Sequence, residues 1–356
     1  MSRGSRQRVT AADVAARAGA SRSAVSLVLN GRADGNVAPV LQERISAAVH
    51  DLGYVPQSVG RSLRSRSTRT VGVITDEIVT SPFAGGIISG AGAVARDGGF
   101  MIMIADTEGD DERIRDMSEV FFARSVDALV LATGGLVSVD PPEEFFSLPA
   151  VLANCLDPQG RAPAVIADES GGSVQAVQHL LSLGHRHIVI LSGSDDSPAT
   201  PRRQEGFLAG LAGTGAKPEV RPCGWEIDDG YRAAAEIFDA GAAPSAILAS
   251  NDRTAVGVLL AAAHRGVRVP DDLSVIGVDD QAHVASRVVP RLTTVALPHR
   301  QIGMRAMELL LQELSEGQMP GLQGSVPDGV ESGAPITELI STELIIRDST
   351  GAAPTT

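Results

Sequence analysis

A chain of 356 residues, 43% hydrophobic and 21% charged, is globular in composition and long enough for two or three domains, which sets aside a disordered or fibrous protein. Its net charge of −13 would weigh against nucleic acid if evenly spread, but residues up to Thr70 carry +7 and the remainder −20. A basic head on an acidic body points to a nucleic-acid-binding segment joined to a part with another task.

The opening MSRGSRQR has no apolar stretch behind it to form a secretory signal. No later run approaches the roughly 18 apolar residues of a membrane span, so a cytoplasmic protein is expected. From Val9 to Tyr54 the pattern is helical. Thr10 is a candidate N-cap for a helix with Val14, Ala15 and Ala18 inward, closed by Gly19. Ser21 caps a second, with Val25, Val28 and Leu29 on one face before Asn30 and Gly31. Leu41, Ile45, Ala48, Val49 and Leu52 trace the apolar stripe of a third. The first two, joined by a turn of about four residues, have the spacing of a helix-turn-helix. Gln57 to Arg69 is polar and arginine-rich, with only Val59 and Leu63 apolar. It is a linker with too little apolar surface to hold a helix unaided.

From Thr70 onward short apolar runs alternate with amphipathic helical stretches. The runs include Val71 to Ile74, Ala128 to Leu131, Ile188 to Leu191 and Val275 to Val278; the helical stretches include Ala84 to Arg96, Gly172 to Leu183 and His299 to Leu314. Such alternation argues for parallel sheets with helices on both faces, and about nine or more strands fit two lobes better than one sheet. The expected fold is an all-α helix-turn-helix headpiece followed by an α/β body of two doubly wound parallel-sheet lobes. Ligands in such sheets sit beyond the carboxyl ends of the strands, so residues just after each strand are pocket candidates. Met319 to Thr337, rich in Gly, Pro and Ser, reads as a surface loop before a last strand, Leu344 to Ile346.

The segments VTAADVAARAGASRSAVSLVLNG (Val9 to Gly31) and ERISAAVHDLGYVP (Glu43 to Pro56) resemble the headpiece of the LacI/GalR (lactose-repressor) family. So does the body, in TVGVITDEIVTSPFAGGI, HLLSLGHRHIVILSG, ILASNDRTAVG, VPDDLSVIGVDD and PRLTTV. The resemblance implies a headpiece over residues 1–56, a hinge over 57–69 and a periplasmic-binding-protein-like body over 70–349 that binds an effector and dimerises. It places one lobe at about 70–167 and 298–327, the other at about 168–297 and 336–349, and a disordered tail at 350–356.

In the headpiece, Arg22, Ser23 and Ser26 stand at the start of the second helix, where side chains reach base edges in a major groove. Thr10, Ser21, Asn30 and Tyr54 have the chemistry for phosphate oxygens. In the family a leucine matching Leu63 wedges into the minor groove. Leu27 stands where an arginine is often found, and Gly60 replaces a hinge alanine at about 1 kcal/mol of helix propensity. In the body, Asp76, Phe83, Asn154, Arg203, Trp225, Asn251, Asp252 and Asp279 fall after strands or at helix starts facing the expected cleft. Carboxylates and an arginine to bond paired hydroxyls, with an aromatic ring to stack, suit a sugar. Asp252 is also a candidate helix cap and Arg203 a candidate surface ion pair. Trp225 is the only tryptophan and stands five residues before Gly230, as in the family.

The partners expected are operator DNA, a small-molecule effector of the sugar class, and a second copy of the chain. Gly90, Gly92 and Ala95 spell a dinucleotide-binding fingerprint, but they lie inside a helical stretch rather than directly after a strand. His185 and His187 lack metal-ligand partners nearby, and Cys155 and Cys223 read as small buried apolar residues. No cofactor, metal or catalytic constellation is expected. A solute-binding protein remains an alternative for the body alone, and a sugar-metabolising enzyme a weaker one.

Overall fold

Short helices survive at the head of the chain because caps and a shared core hold them. The computed structural model describes residues 9–54, 67–77, 84–110, 112–241, 244–316 and 337–354. They divide into one unit ending at Thr68 and another beginning at Arg69. In the first, α1 (Ala11–Ala18) starts with a reciprocal capping box between Thr10 and Asp13 and ends at Gly19 with φ of 60°. Three residues later α2 (Arg22–Leu29) begins, its N-cap Ser21 accepting the Ala24 N–H at 3.1 Å. An eight-residue helix is marginal alone. Val14, Ala18 and Val25 are therefore buried against Ile45 and Ala48 of α3 (Pro39–Leu52).

The second unit holds two six-stranded sheets. Strands β1 (Thr70–Thr75), β2 (Met101–Asp106), β3 (Ala128–Ser138), β4 (Ala150–Leu156) and β5 (Ala164–Ala167) form the first with β11 (Thr337–Ile340). All its pairings are parallel, in the order β11-β5-β4-β3-β1-β2. Strands β6 (His187–Ser192), β7 (Lys217–Pro222), β8 (Ala246–Leu248), β9 (Ser274–Asp279) and β10 (Thr293–Ala296) form the second with β12 (Glu343–Ile345). Only β12 runs antiparallel there. The first lobe carries α4 (Ala84–Asp97), α5 (Glu112–Ala123) and α10 (His299–Glu316); the second carries α6 (Glu169–Ser182), α7 (Ala199–Leu211), α8 (Ile227–Asp239) and α9 (Asp252–His264). Central strands are apolar on both faces, as sheets covered on both sides require: every residue of β1 and β4 but Leu156 is buried.

The chain crosses between lobes three times: after β5, after β10, and between β11 and β12. Two boundaries given by the sequence are corrected here. Residues 336–349 do not all belong to the second lobe, because Thr337–Ile340 pairs with β5 in the first lobe's sheet. Residues 350–353 are not a loose tail either: Thr350 bonds His179 and Thr293, the Gly351 N–H reaches Ser274 and the Ala353 N–H reaches Leu183 O. Residues 55–66, which include hinge positions 57–66 with Gly60 and Leu63, lie outside the described residues, as does most of the Met319 to Thr337 loop. Among the described residues no helix is long and apolar enough to cross a membrane.

Candidate functional site

The headpiece presents a short polar edge. Arg22 and Ser23, in the first turn of α2, are exposed, and Ser26 is half-buried one turn on. Among the described residues Arg22 has no ion-pair partner, so its guanidinium is available to an outside acceptor. Asn30 donates to the Ser26 carbonyl at 2.6 Å and its hydroxyl at 3.2 Å, tying off the end of α2. Thr10 and Ser21 cap helices, and Tyr54 packs half-buried on the headpiece core.

In the second unit a cavity of about 450 Å³ lies between the lobes at the carboxyl ends of the strands. Asp76 follows β1, Gly134 to Val137 close β3, Asn154 sits in β4, Ser194 follows β6, Trp225 follows β7, Asn251 follows β8 and Asp279 ends β9. Of the expected residues the cavity collects Asp76, Asn154, Arg203, Trp225, Asn251 and Asp279. Phe83 lies outside the described residues. Asp252 is corrected: it is not on the cavity wall but fully buried within the second lobe. It accepts from the Thr294 hydroxyl at 2.6 Å and the Gln281 N–H at 2.7 Å. The preceding Asn251 takes the N-cap of α9, which turns the next side chain inward.

Arg203 is no surface ion pair. It is 6% exposed and meets Glu169 through two parallel bonds, Nε at 2.7 Å and Nη2 at 3.1 Å, with Nη1 donating to Ser250 O. Its guanidinium carbon lies 5.6 Å from the Trp225 ring centroid. The indole is fixed by Nε1 donating to the Ser194 hydroxyl at 2.6 Å. It also lies against Gly193, where a methyl group would collide with the ring. Sequence reading missed Glu169, whose partner is 34 residues away. It also missed Arg253 and His299 of the same wall.

The first lobe's wall depends on a register shift in β3 between Ala132 and Val137. The freed Gly134 N–H points at both carboxylate oxygens of Asp76, at 3.0 Å each, and Asn154 donates to Thr133 O at 3.1 Å. Asn154 and Asp279 have φ of 62° and 119°, left-handed conformations that cost of order 1–3 kcal/mol in non-glycine residues and gather where ligands bind. Across the cleft, Ser197 Oγ donates to Leu136 O at 3.1 Å, and Leu136 packs with Ala199 and Trp225.

Burial raises the Asp252 carboxyl to about 7, against the Thr294 and Gln281 hydrogen bonds. The native state then keeps a proton that the unfolded chain gives up near pH 4. The stability tied to that proton is full below pH 4 and is lost as pH rises to about 7. Asp252→Asn is expected to flatten the urea-stability profile between those limits and leave it unchanged below them. A variant profile parallel to the wild type throughout would remove Asp252 from the account.

The remaining candidates have structural positions. His185 is fully buried with Nε2 on Gly351 O at 3.0 Å, and His187 is exposed at the start of β6. Cys155 is buried and its thiol pushed up to about 12 by burial. Cys223 is only half-buried, a correction, with burial raising it to about 11.

A helix-turn-helix unit and a two-lobed α/β unit with a cavity at its strand ends define a class of regulatory protein, and comparison with known proteins agrees. A model of bacterial regulatory proteins of the lacI family matches residues 10–57, and one of the periplasmic binding protein-like domain matches 177–350. The transcriptional repressor CytR of Escherichia coli strain K12 is 31% identical over 349 residues, 97% of each chain. The lac repressor dimer bound to operator and the anti-inducer ONPF superposes with a TM-score of 0.78 at 25% identity, over 97% of this chain and 100% of that one. The regulator CelR in complex with cellobiose gives 0.65 at 28% identity, over 96% and 100%. The chain belongs to the lacI family of bacterial regulatory proteins.

Proposed function

We propose that the protein is a cytoplasmic transcriptional repressor that grips a near-palindromic operator as a homodimer and is controlled by a sugar-like effector in the interlobe cavity. One observation carries the reading: the cavity sets an indole, a buried guanidinium, a carboxamide and carboxylates around one space at the strand ends. That is a stacking face with hydrogen-bonding groups for a polyhydroxylated ligand. CelR with cellobiose and lac repressor with ONPF show small molecules bound by proteins of this architecture, which supports the assignment. Dimerisation follows from reading economy, since one short α2 reads too few bases and two-fold pairing doubles the set.

In this reading Arg22, Ser23 and Ser26 meet base edges, while Thr10, Ser21, Asn30 and Tyr54 position the headpiece on phosphates. Leu63 serves as the minor-groove wedge. Selection from random DNA should return inverted half-sites. Arg22→Ala is expected to lose about 1–3 kcal/mol of discrimination for the cognate sequence while keeping its nonspecific affinity. Equal losses on cognate and random DNA would remove Arg22 from base reading.

A further inference from the structure

The cavity's charge is lopsided, and reading that asymmetry as ligand selection rests on the effector assignment above. Its wall carries Asp76, Glu77, Glu169, Asp196, Glu226 and Asp279 against Arg203 and Arg253. Arg203 is engaged by Glu169 at 2.7 Å, and Arg253 pairs with Glu226 at 3.1 Å through one terminal nitrogen, while its buried Nε has no partner among the described residues. Near neutral pH His299 adds no positive charge, because burial and the neighbouring Arg203 hold it down at about 4.

No cation among the described residues lies within ion-pair distance of Asp76, Asp196 or Asp279. Asp76 accepts from backbone N–H groups and the Thr75 hydroxyl. The Asp279 carboxyl, half-buried on the wall, accepts no hydrogen bond from a described residue. Burial pushes it well above the carboxylate range, against the pull of Arg203 and with Asp252 and Glu169 adding to the rise. An ammonium group beside it would favour its charged form, whereas a phosphate would face the carboxylates of Asp76 and Asp196 in a cleft that concentrates their field.

We infer that the cavity sorts effectors by charge: it takes a polyhydroxylated molecule bearing a protonated amine and excludes phosphorylated and carboxylate-bearing counterparts. Trp225, the only tryptophan, lines the cavity and reports on it directly. The test uses the full chain and charged collisional quenchers, cesium and iodide, at matched ionic strength. Each is normalised to N-acetyltryptophanamide, with acrylamide as the neutral reference. Cesium should quench Trp225 more efficiently than iodide, and glucosamine should protect it from acrylamide at concentrations at least tenfold below glucose, a difference of about 1.4 kcal/mol. Glucose 6-phosphate should not protect it. Iodide matching or exceeding cesium, or glucose 6-phosphate protecting at or below the glucosamine concentration, would overturn the inference. The parent reading fails differently: a compound that alters operator binding while leaving Trp225 untouched would move the effector site elsewhere.

Discussion

Arg203→Ala should cost about 3–5 kcal/mol of folding stability, the usual consequence of leaving one member of a buried ion pair without its partner. Glu169 is 4% exposed and its carboxylate takes both its hydrogen bonds from that guanidinium. The Ser250 carbonyl would lose a donor as well. Arg203 also lies over Trp225, so the truncation empties part of the cavity wall and should abolish the effector response. Glu169→Gln is the informative companion: it keeps the size but leaves the guanidinium buried without its counter-charge and turns one of the two parallel bonds into a donor facing a donor, so a loss of similar size is expected. Urea unfolding of both variants decides: less than 1 kcal/mol lost in Arg203→Ala would mean that water reaches the pair and screens it.

Gly303→Ala is expected to cost about 1–3 kcal/mol or more, as overpacking does. A methyl on Gly303 of α10 would run into the Ile87 carbonyl of α4, and one on Gly90 of α4 would meet the Arg300 carbonyl of α10. The two backbones therefore pack glycine against main chain, with Ile87, Ala91, Ile302, Ala306 and Met307 buried around them. His299 heads α10 and lines the cavity, so pushing the helices apart should also weaken effector binding. Thermal unfolding and Trp225 titration of the variant would show both losses together. Unchanged melting would mean that the helices can separate at little cost.

The same glycines show what sequence can and cannot settle. Gly90, Gly92 and Ala95 match a phosphate-binding fingerprint, but all three lie within α4, where Gly90 lets the Arg300 carbonyl of α10 approach and Ala95 is buried in the core. The headpiece was legible because its signals are local: Thr10 and Ser21 cap, Gly19 stops, and the stripe of α3 is periodic. Most buried strands were legible as apolar runs, but buried β5 and β10, of four residues each, were not read. β7 was not, since KPEVRP holds two prolines, which an edge strand tolerates because one side of its ladder is open. α7 was missed for a similar reason, with Pro201 in its first turn and only Phe207 and Leu211 as bulky buried apolar residues. At the site, Trp225 and Arg203 stood out by residue type. Glu169 did not, because only tertiary packing brings it to Arg203, and whether Asp252 faced the cavity or the lobe interior depended on Asn251 taking the cap.

Trp225 fluorescence and operator affinity can be followed in one titration of the intact protein with each compound that shifts its melting temperature. A ligand acts only through different affinities for two lobe arrangements. One apparent affinity should therefore govern both the tryptophan change and the change in operator binding, and Asp279→Asn should shift both to concentrations at least tenfold higher, about 1.4 kcal/mol, while the unliganded variant still binds operator. A compound that changes operator binding with the tryptophan signal flat, or saturates the tryptophan signal with operator affinity unchanged, would contradict the account.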